Sequence, residues 1–181
     1  MSELNNNKNS ASFGFKKVTE TEKVSLVDNV FTSVTKNYDL MNDLMSFGLH
    51  RSWKSYFLLC SHIKKGDKVL DLAAGTGDIT RLISNTVGDS GKVVSCDINY
   101  SMLSQGRDNL IDKGVLGNVL YVQSDAQALS FEENSFNHVT MAFGLRNTAN
   151  IGKALKSIYR SLKPGGSLQV LEFSKAEKII E

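Results

Sequence analysis

Ten residues constrain this chain more than any other stretch. Val69-Leu70-Asp71-Leu72-Ala73-Ala74-Gly75-Thr76-Gly77-Asp78 reads as a buried strand that breaks into a glycine-rich turn and then starts a helix. The run Lys92-Val93-Val94-Ser95-Cys96-Asp97 reads as a second strand that ends in an acid twenty residues past Gly77. Strand, Gly-x-Gly turn and an acid closing the next strand form a cradle for a nucleotide-type cofactor. A dinucleotide site would want a third glycine where Thr80 stands and a helix N-terminus free to receive pyrophosphate. Asp78 instead puts a carboxylate at that N-terminus, where a pyrophosphate would meet like charge. An acid-lined turn suits S-adenosylmethionine, which carries an ammonium and a sulfonium and no phosphate. Asp97 would then accept hydrogen bonds from the two ribose hydroxyls.

The rest of the chain divides in two. Up to about Ser61 the pattern is helical: Val27, Val30, Phe31, Val34 and Tyr38 recur at helical spacing, and Trp53, Tyr56, Phe57 and Cys60 mark one face of a second short helix. From Lys65 onward strands and helices alternate. Strands are expected at 68–72, 92–97, 119–123, 138–143 and 167–173, with helices at 77–86, 100–113 and 150–162. The last helix carries an apolar stripe of Ile151, Ala154, Leu155, Ile158, Tyr159 and Leu162, and Pro164-Gly165-Gly166 should stop it. Such alternation predicts a parallel sheet with helices on both faces. The chain ends at Glu181, just past the fifth strand, so that an apolar sheet edge is expected to be covered by further chain or by a partner.

Composition removes several classes. With 21 Lys+Arg against 19 Asp+Glu there is no basic excess of the kind nucleic-acid binders show. No apolar run approaches the roughly 18 residues that span a bilayer. The polar, Asn-rich start has neither an apolar signal segment nor the arginines of a transit peptide, so a cytoplasmic protein with a disordered tail is expected. Cys60 and Cys96 form no CxxC and should both be reduced thiols. His50, His62 and His138 show no metal-ligand spacing, and no metal is expected.

Three motifs together resemble one family, the UbiE-type ubiquinone/menaquinone biosynthesis C-methyltransferases. They are Tyr38-Asp39-x-Met41-Asn42-Asp43-x-Met45-Ser46-x-Gly48-x-His50-Arg51-x-Trp53-Lys54, then Phe143-Gly144-Leu145-Arg146-Asn147, and Arg160-x-Leu162-Lys163-Pro164-Gly165-Gly166 running into Leu171-Glu172-Phe173-Ser174-Lys175. The resemblance implies an α/β class I S-adenosylmethionine-dependent methyltransferase: a Rossmann-like parallel sheet with an N-terminal helical cap, its last strands absent. The division would be a tail over 1–15, a substrate-side cap over 16–64 and the methyltransferase core over 65–181. The implied reaction methylates a ring carbon of a polyprenylated benzoquinol or of demethylmenaquinol. A chain lacking part of the fold could instead be a non-catalytic cofactor-binding module or scaffold for other quinone-biosynthesis proteins.

By position, the resemblance and the turn together give Asp71, Gly75, Thr76, Gly77, Asp97, Met102, Asp125, Ala126 and Ala142 as the cofactor set. Asp125 would accept from the adenine amino group and the Ala126 amide would reach a ring nitrogen; Ala142 stands where the family often has serine. Carbon methylation needs an electron-rich ring, hence a lost hydroxyl proton, and a base or held water beside it. Arg146 and Asn147 fall at the carboxyl edge of the fourth strand, where ligands bind; Arg146 suits phenolate stabilisation rather than proton abstraction. Tyr38, Asn42 and His50 are candidates for the opposite wall, and His50 could titrate near neutrality. Plainer readings stand beside these: Arg146 paired with a structural carboxylate, Met41 and Met45 as packing, Trp53 as core. Lys16, Lys17 and Lys23 are expected in solvent, or against anionic lipid at the inner membrane surface.

Overall fold

The computed structural model describes residues 10–13, 16–34 and 49–173. Ser10–Phe13 (β1) and Lys16–Thr19 (β2) form a small antiparallel pair, followed by the helix Glu20–Val34 (α1). A second helix, Leu49–Leu59 (α2), leads to the sheet. Lys68–Leu72 (β3), Asp78–Val87 (α3), Lys92–Asp97 (β4), Tyr100–Asp112 (α4) and Val119–Gln123 (β5) alternate as expected. Phe136–Ala142 (β6), Ile151–Ser161 (α5) and Leu162–Leu171 (β7) complete the order. Every neighbouring pair in the five-stranded sheet is parallel, and the order across it is β5-β4-β3-β6-β7.

The alternation of side chains along β3 and β4 builds a core on each face. Leu70, Leu72, Val94 and Cys96 point to the face where Leu129, Phe136, Met141 and Ile158 pack. Val69 and Val93 point to the other, against Ile79, Ile83 and Val87 of α3 and Phe57 of α2. Helix starts follow local chemistry. Asn99 caps α4 by accepting from the Met102 amide at 2.8 Å, and Asn150 caps α5 through the Lys153 amide at 3.0 Å.

Several expectations need correcting. Residues 1–9 lie outside the described residues, but Ser10–Phe13, expected within a disordered tail, pair as a strand. On α2 the buried face is Lys54 and Phe57; Tyr56 is 70% exposed, Cys60 is exposed, and Trp53, read as core, sits at the surface edge-on to Phe173. On α5 the buried stripe is Ala154, Ser157, Ile158 and Ser161, with Ile151, Leu155 and Tyr159 outside. Small residues let α5 lie close to the sheet, and a stripe drawn through the larger apolar residues is rotated away from that contact. The helix also ends earlier than expected. Leu162 already pairs with Phe136, the ladder resumes at Ser167 opposite His138, and the register shifts between them. Lys23, expected in solvent, is only 8% exposed.

Candidate cofactor site

The sheet reverses direction between β3 and β6: β4 and β5 lie on one side of β3, β6 and β7 on the other. In open parallel sheets the crevice outside the carboxyl ends at such a point is where ligands bind. A cavity of about 100 Å³, open at its mouth, lies there. Its floor comes from the ends of β3, β4, β5 and β6, and its roof from Val24, Val27, Asp28 and Phe31 of α1.

The turn after β3 is held from below. Asp71 is fully buried, and its carboxylate accepts from Thr80 Oγ1 at 2.6 Å and from Thr140 Oγ1 at 2.8 Å. Burial pushes the Asp71 carboxyl up to about 6, against the two hydroxyl hydrogen bonds. Gly75 and Gly77 both adopt left-handed backbone, φ 55° and 86°, a conformation that costs glycine little. The Gly75 amide donates to Asp97 Oδ2 at 2.9 Å, and the Asn99 amide donates to Asp97 Oδ1 at 2.9 Å. The Ile98 amide also favours the charged carboxylate, whose remaining acceptor capacity is open to a ligand. Burial raises the Asp97 carboxyl above the ordinary range, and these backbone donors only partly oppose it.

Asp78 does not line the cavity. It pairs with Lys54 of α2 at 2.8 Å. Burial, the largest single influence, penalises its charged form, but the Lys54 ammonium, Lys113 and Arg81 together outweigh it and hold the carboxyl below its ordinary value. The acid that begins α3 therefore joins cap to core.

Gly75, Asp97, Met102, Asp125, Ala126, Ala142 and Asn147 all line the cavity, as the sequence reading expects of a single site. Asp71, Thr76 and Gly77 lie behind its wall, with the Thr76 carbonyl accepting from Asn109 Nδ2 at 3.1 Å. Asp125 caps a short turn of helix by accepting from the Gln127 amide at 2.9 Å. Arg146 is exposed. Its guanidinium pairs with Glu172 and lies over the Phe173 ring at 5.3 Å. Tyr38, Asn42, Met41 and Met45 lie outside the described residues; His50 is the second residue of α2, and its side chain is likewise not described.

Sequence reasoning expected a helical cap over 16–64 but not which of its residues roof the cavity. Asp28 and Phe31 were legible as helix residues, but nothing in their spacing says what α1 covers. It also missed Asn99, whose side-chain amide donates to Asp28 Oδ1 at 2.8 Å and to Thr32 Oγ1 at 2.7 Å, tying α1 to the start of α4. An Asn two residues after a strand-end acid and opening a helix was the available signal. Lys23 is the second tie: its ammonium donates to the carbonyls of Arg146 at 2.9 Å and Thr148 at 2.8 Å, on either side of Asn147.

Among the described residues no helix is long and apolar enough to cross a membrane. The model of the ubiE/COQ5 methyltransferase family matches residues 16–180. A curated relative from Legionella pneumophila, the ubiquinone/menaquinone biosynthesis C-methyltransferase UbiE, is 56% identical over 171 residues, covering 94% of this chain and 68% of its own. The protein of the same name from Haemophilus ducreyi is 58% identical over 163 residues, covering 90% and 63%. The chain thus spans about two thirds of the length of the curated relatives it matches. A crystal structure of a SAM-dependent methyltransferase from Aquifex aeolicus superposes with a TM-score of 0.64 at 25% identity, over 71% of this chain and 68% of that one. The parallel sheet, its reversal beside β3 and the acid at the end of β4 are the class I methyltransferase arrangement, and the chain belongs to the ubiE/COQ5 methyltransferase family.

Proposed function

We propose that this chain is the S-adenosylmethionine-dependent C-methyltransferase that methylates a polyprenylated benzoquinol or demethylmenaquinol on the way to ubiquinone or menaquinone. Its relatives are named ubiquinone/menaquinone biosynthesis C-methyltransferases. The observation on the molecule itself that supports it most is the charge of the cavity. Asp28, Asp97 and Asp125 line it, and among the described residues no lysine, arginine or histidine does. Such a wall repels pyrophosphate and favours a ligand of net positive charge. The turn fits as well, because the left-handed glycine at 75 leaves the backbone open beside Asp97.

When bound, the cofactor supplies the electrophilic methyl group. The residues then divide the remaining tasks. Asp97 would accept from the ribose hydroxyls, and Asp125 with the Ala126 amide would hold the adenine edge. Met102 and Ala142 supply apolar wall, and α1 excludes water from above. In-line transfer to carbon needs the quinol ring held opposite the methyl group. Asn147 already lines the cavity and is assigned to orient a ring oxygen or a water. Arg146 is assigned to steady the phenolate, which requires its guanidinium to leave Glu172. Tyr38 and His50 remain the proposed residues of the opposite wall. Cys96, though it borders the cavity, is not a nucleophile: burial, then the nearby Asp97 and Asp71 charges, push its thiol up to about 12.

Calorimetric titration with S-adenosylmethionine, with NAD as control, followed by methyl transfer to a reduced demethylmenaquinone, tests the reading. Binding of the first ligand alone, with a methylated quinol as product, is expected. Binding without transfer would make the chain a cofactor-binding module, and binding of NAD would overturn the cofactor assignment.

A further inference from the structure

Asp28 stands apart from the other acids of the cavity because it comes from the roof. It is carried on α1, while Asp97 and Asp125 sit at strand ends in the floor. One residue fixes roof and floor together. The Asn99 backbone amide donates to Asp97 Oδ1 at 2.9 Å, and its side-chain amide donates to Asp28 Oδ1 at 2.8 Å. Two carboxylates are thereby held over one cavity with no ammonium or guanidinium between them among the described residues. The nearest lysine on α1, Lys23, is turned to the carbonyls of Arg146 and Thr148 instead. The Asp28 charge also works against ionisation of Asp97.

Polar ties fasten much of α1 to the core. Among its described side chains Lys23 and Val27 are buried. The polar ties include Asn99 to Asp28 and Thr32, Asn150 to Glu20 at 3.0 Å, and Lys153 to Glu20 at 3.1 Å. A helix attached this way responds to the sign of the charge beneath it.

We propose that Asp28 is a charge-discriminating residue: it lets α1 close more firmly over the cationic methyl donor than over the product that has lost the methyl group. This rests on the cofactor reading above. Methyl transfer leaves the C–S electron pair on sulfur and turns a sulfonium into a neutral thioether, so the ligand goes from net positive to net neutral. With the donor bound, its positive charge in the cavity would offset the repulsion between Asp28 and Asp97. With the product present that offset is gone, and α1 is the movable side. The device favours donor over product and loosens the roof when the product must leave.

Asp28→Asn keeps an oxygen for the Asn99 amide and removes only the charge. Calorimetry with S-adenosylmethionine, the cationic analogue sinefungin and S-adenosylhomocysteine reads the discrimination. The variant is expected to lose about three-fold of the preference for the two cations over the thioether, the size of a partly solvated charge pair, with thioether affinity unchanged or raised. Hydrogen exchange over 20–34 gives a second reading on the unaltered chain: slower exchange with either cation than with the thioether, a difference that vanishes in the variant. An unchanged preference, an equal loss for all three ligands, or the same α1 protection in every complex would overturn the proposal. If none of the three binds the unaltered chain, the cofactor reading itself fails and takes this one with it.

Discussion

Asp71 shows how one buried acid can serve a neighbouring site without touching it. It shares the α3-facing side of β3 with Val69, and its two oxygens join Thr80 on α3 to Thr140 on β6. The strand that ends in the glycine turn is thus fastened on both sides. The arrangement costs stability at neutral pH. With a native carboxyl near 6 and an unfolded one near 3.9, the folded state binds more protons between those values. Stability is therefore fully kept below about pH 4 and lost as pH rises through about 6, by about 3 kcal/mol. Asp97, shifted the same way, adds to that slope. Asp71→Asn should flatten it by about that amount, measured as urea unfolding free energy from about pH 4 to 7. An unaltered slope would place the titration elsewhere.

At the scale of elements, α4 approaches the turn unusually closely. A Cβ added at Gly106 would lie 2.5 Å from the Gly75 carbonyl oxygen and 3.2 Å from the Thr76 carbonyl carbon. Those are backbone atoms and cannot swing aside. Gly106→Ala should therefore cost about 1–3 kcal/mol and weaken S-adenosylmethionine binding by displacing the turn. Thermal unfolding and calorimetry together check this; a variant as stable as the parent would show that α4 can slide. In the sequence, Gly106 looks like a defect in a helix, because the contact that demands it comes from a segment some thirty residues away. Lys23 was hidden for a related reason. A lysine on an amphipathic helix reads as solvated, yet two backbone carbonyls replace the water its ammonium loses. Burial still lowers its basicity.

For the molecule as a whole, the charge around the cavity sets how it meets a ligand. Among the described residues, the titratable groups facing the cavity are Asp28, Asp97 and Asp125, with Cys96 among them and Asp71 beneath the turn. A bound cation favours the ionised forms of Asp71 and Asp97, which are shifted upward in its absence. Affinity for S-adenosylmethionine should therefore fall as pH drops from about 7 to about 5, and affinity for S-adenosylhomocysteine should fall less. Equal pH dependence for the two would mean that these acids do not sense the sulfonium.

What the sequence determined by itself was the part written in local order. Strand, glycine turn, helix and strand-end acid are contiguous, and backbone rules act on contiguous residues. The five strands and the acid at 97 followed from that, and a parallel α/β sheet brings every strand's carboxyl end to the same side; residues 102, 125, 126 and 142 entered through the family resemblance instead. Tertiary structure alone decided which helix roofs the cavity, that Asn99 ties Asp28 to Asp97, that Lys23 and Asp78 are spent on joining cap to core, and that Arg146 lies against Glu172 and Phe173. Apart from Asn99 with Asp97, each of those contacts joins residues separated by at least two dozen positions. Their partners are chosen by how the helices settle on the sheet, and no periodicity within either segment encodes that.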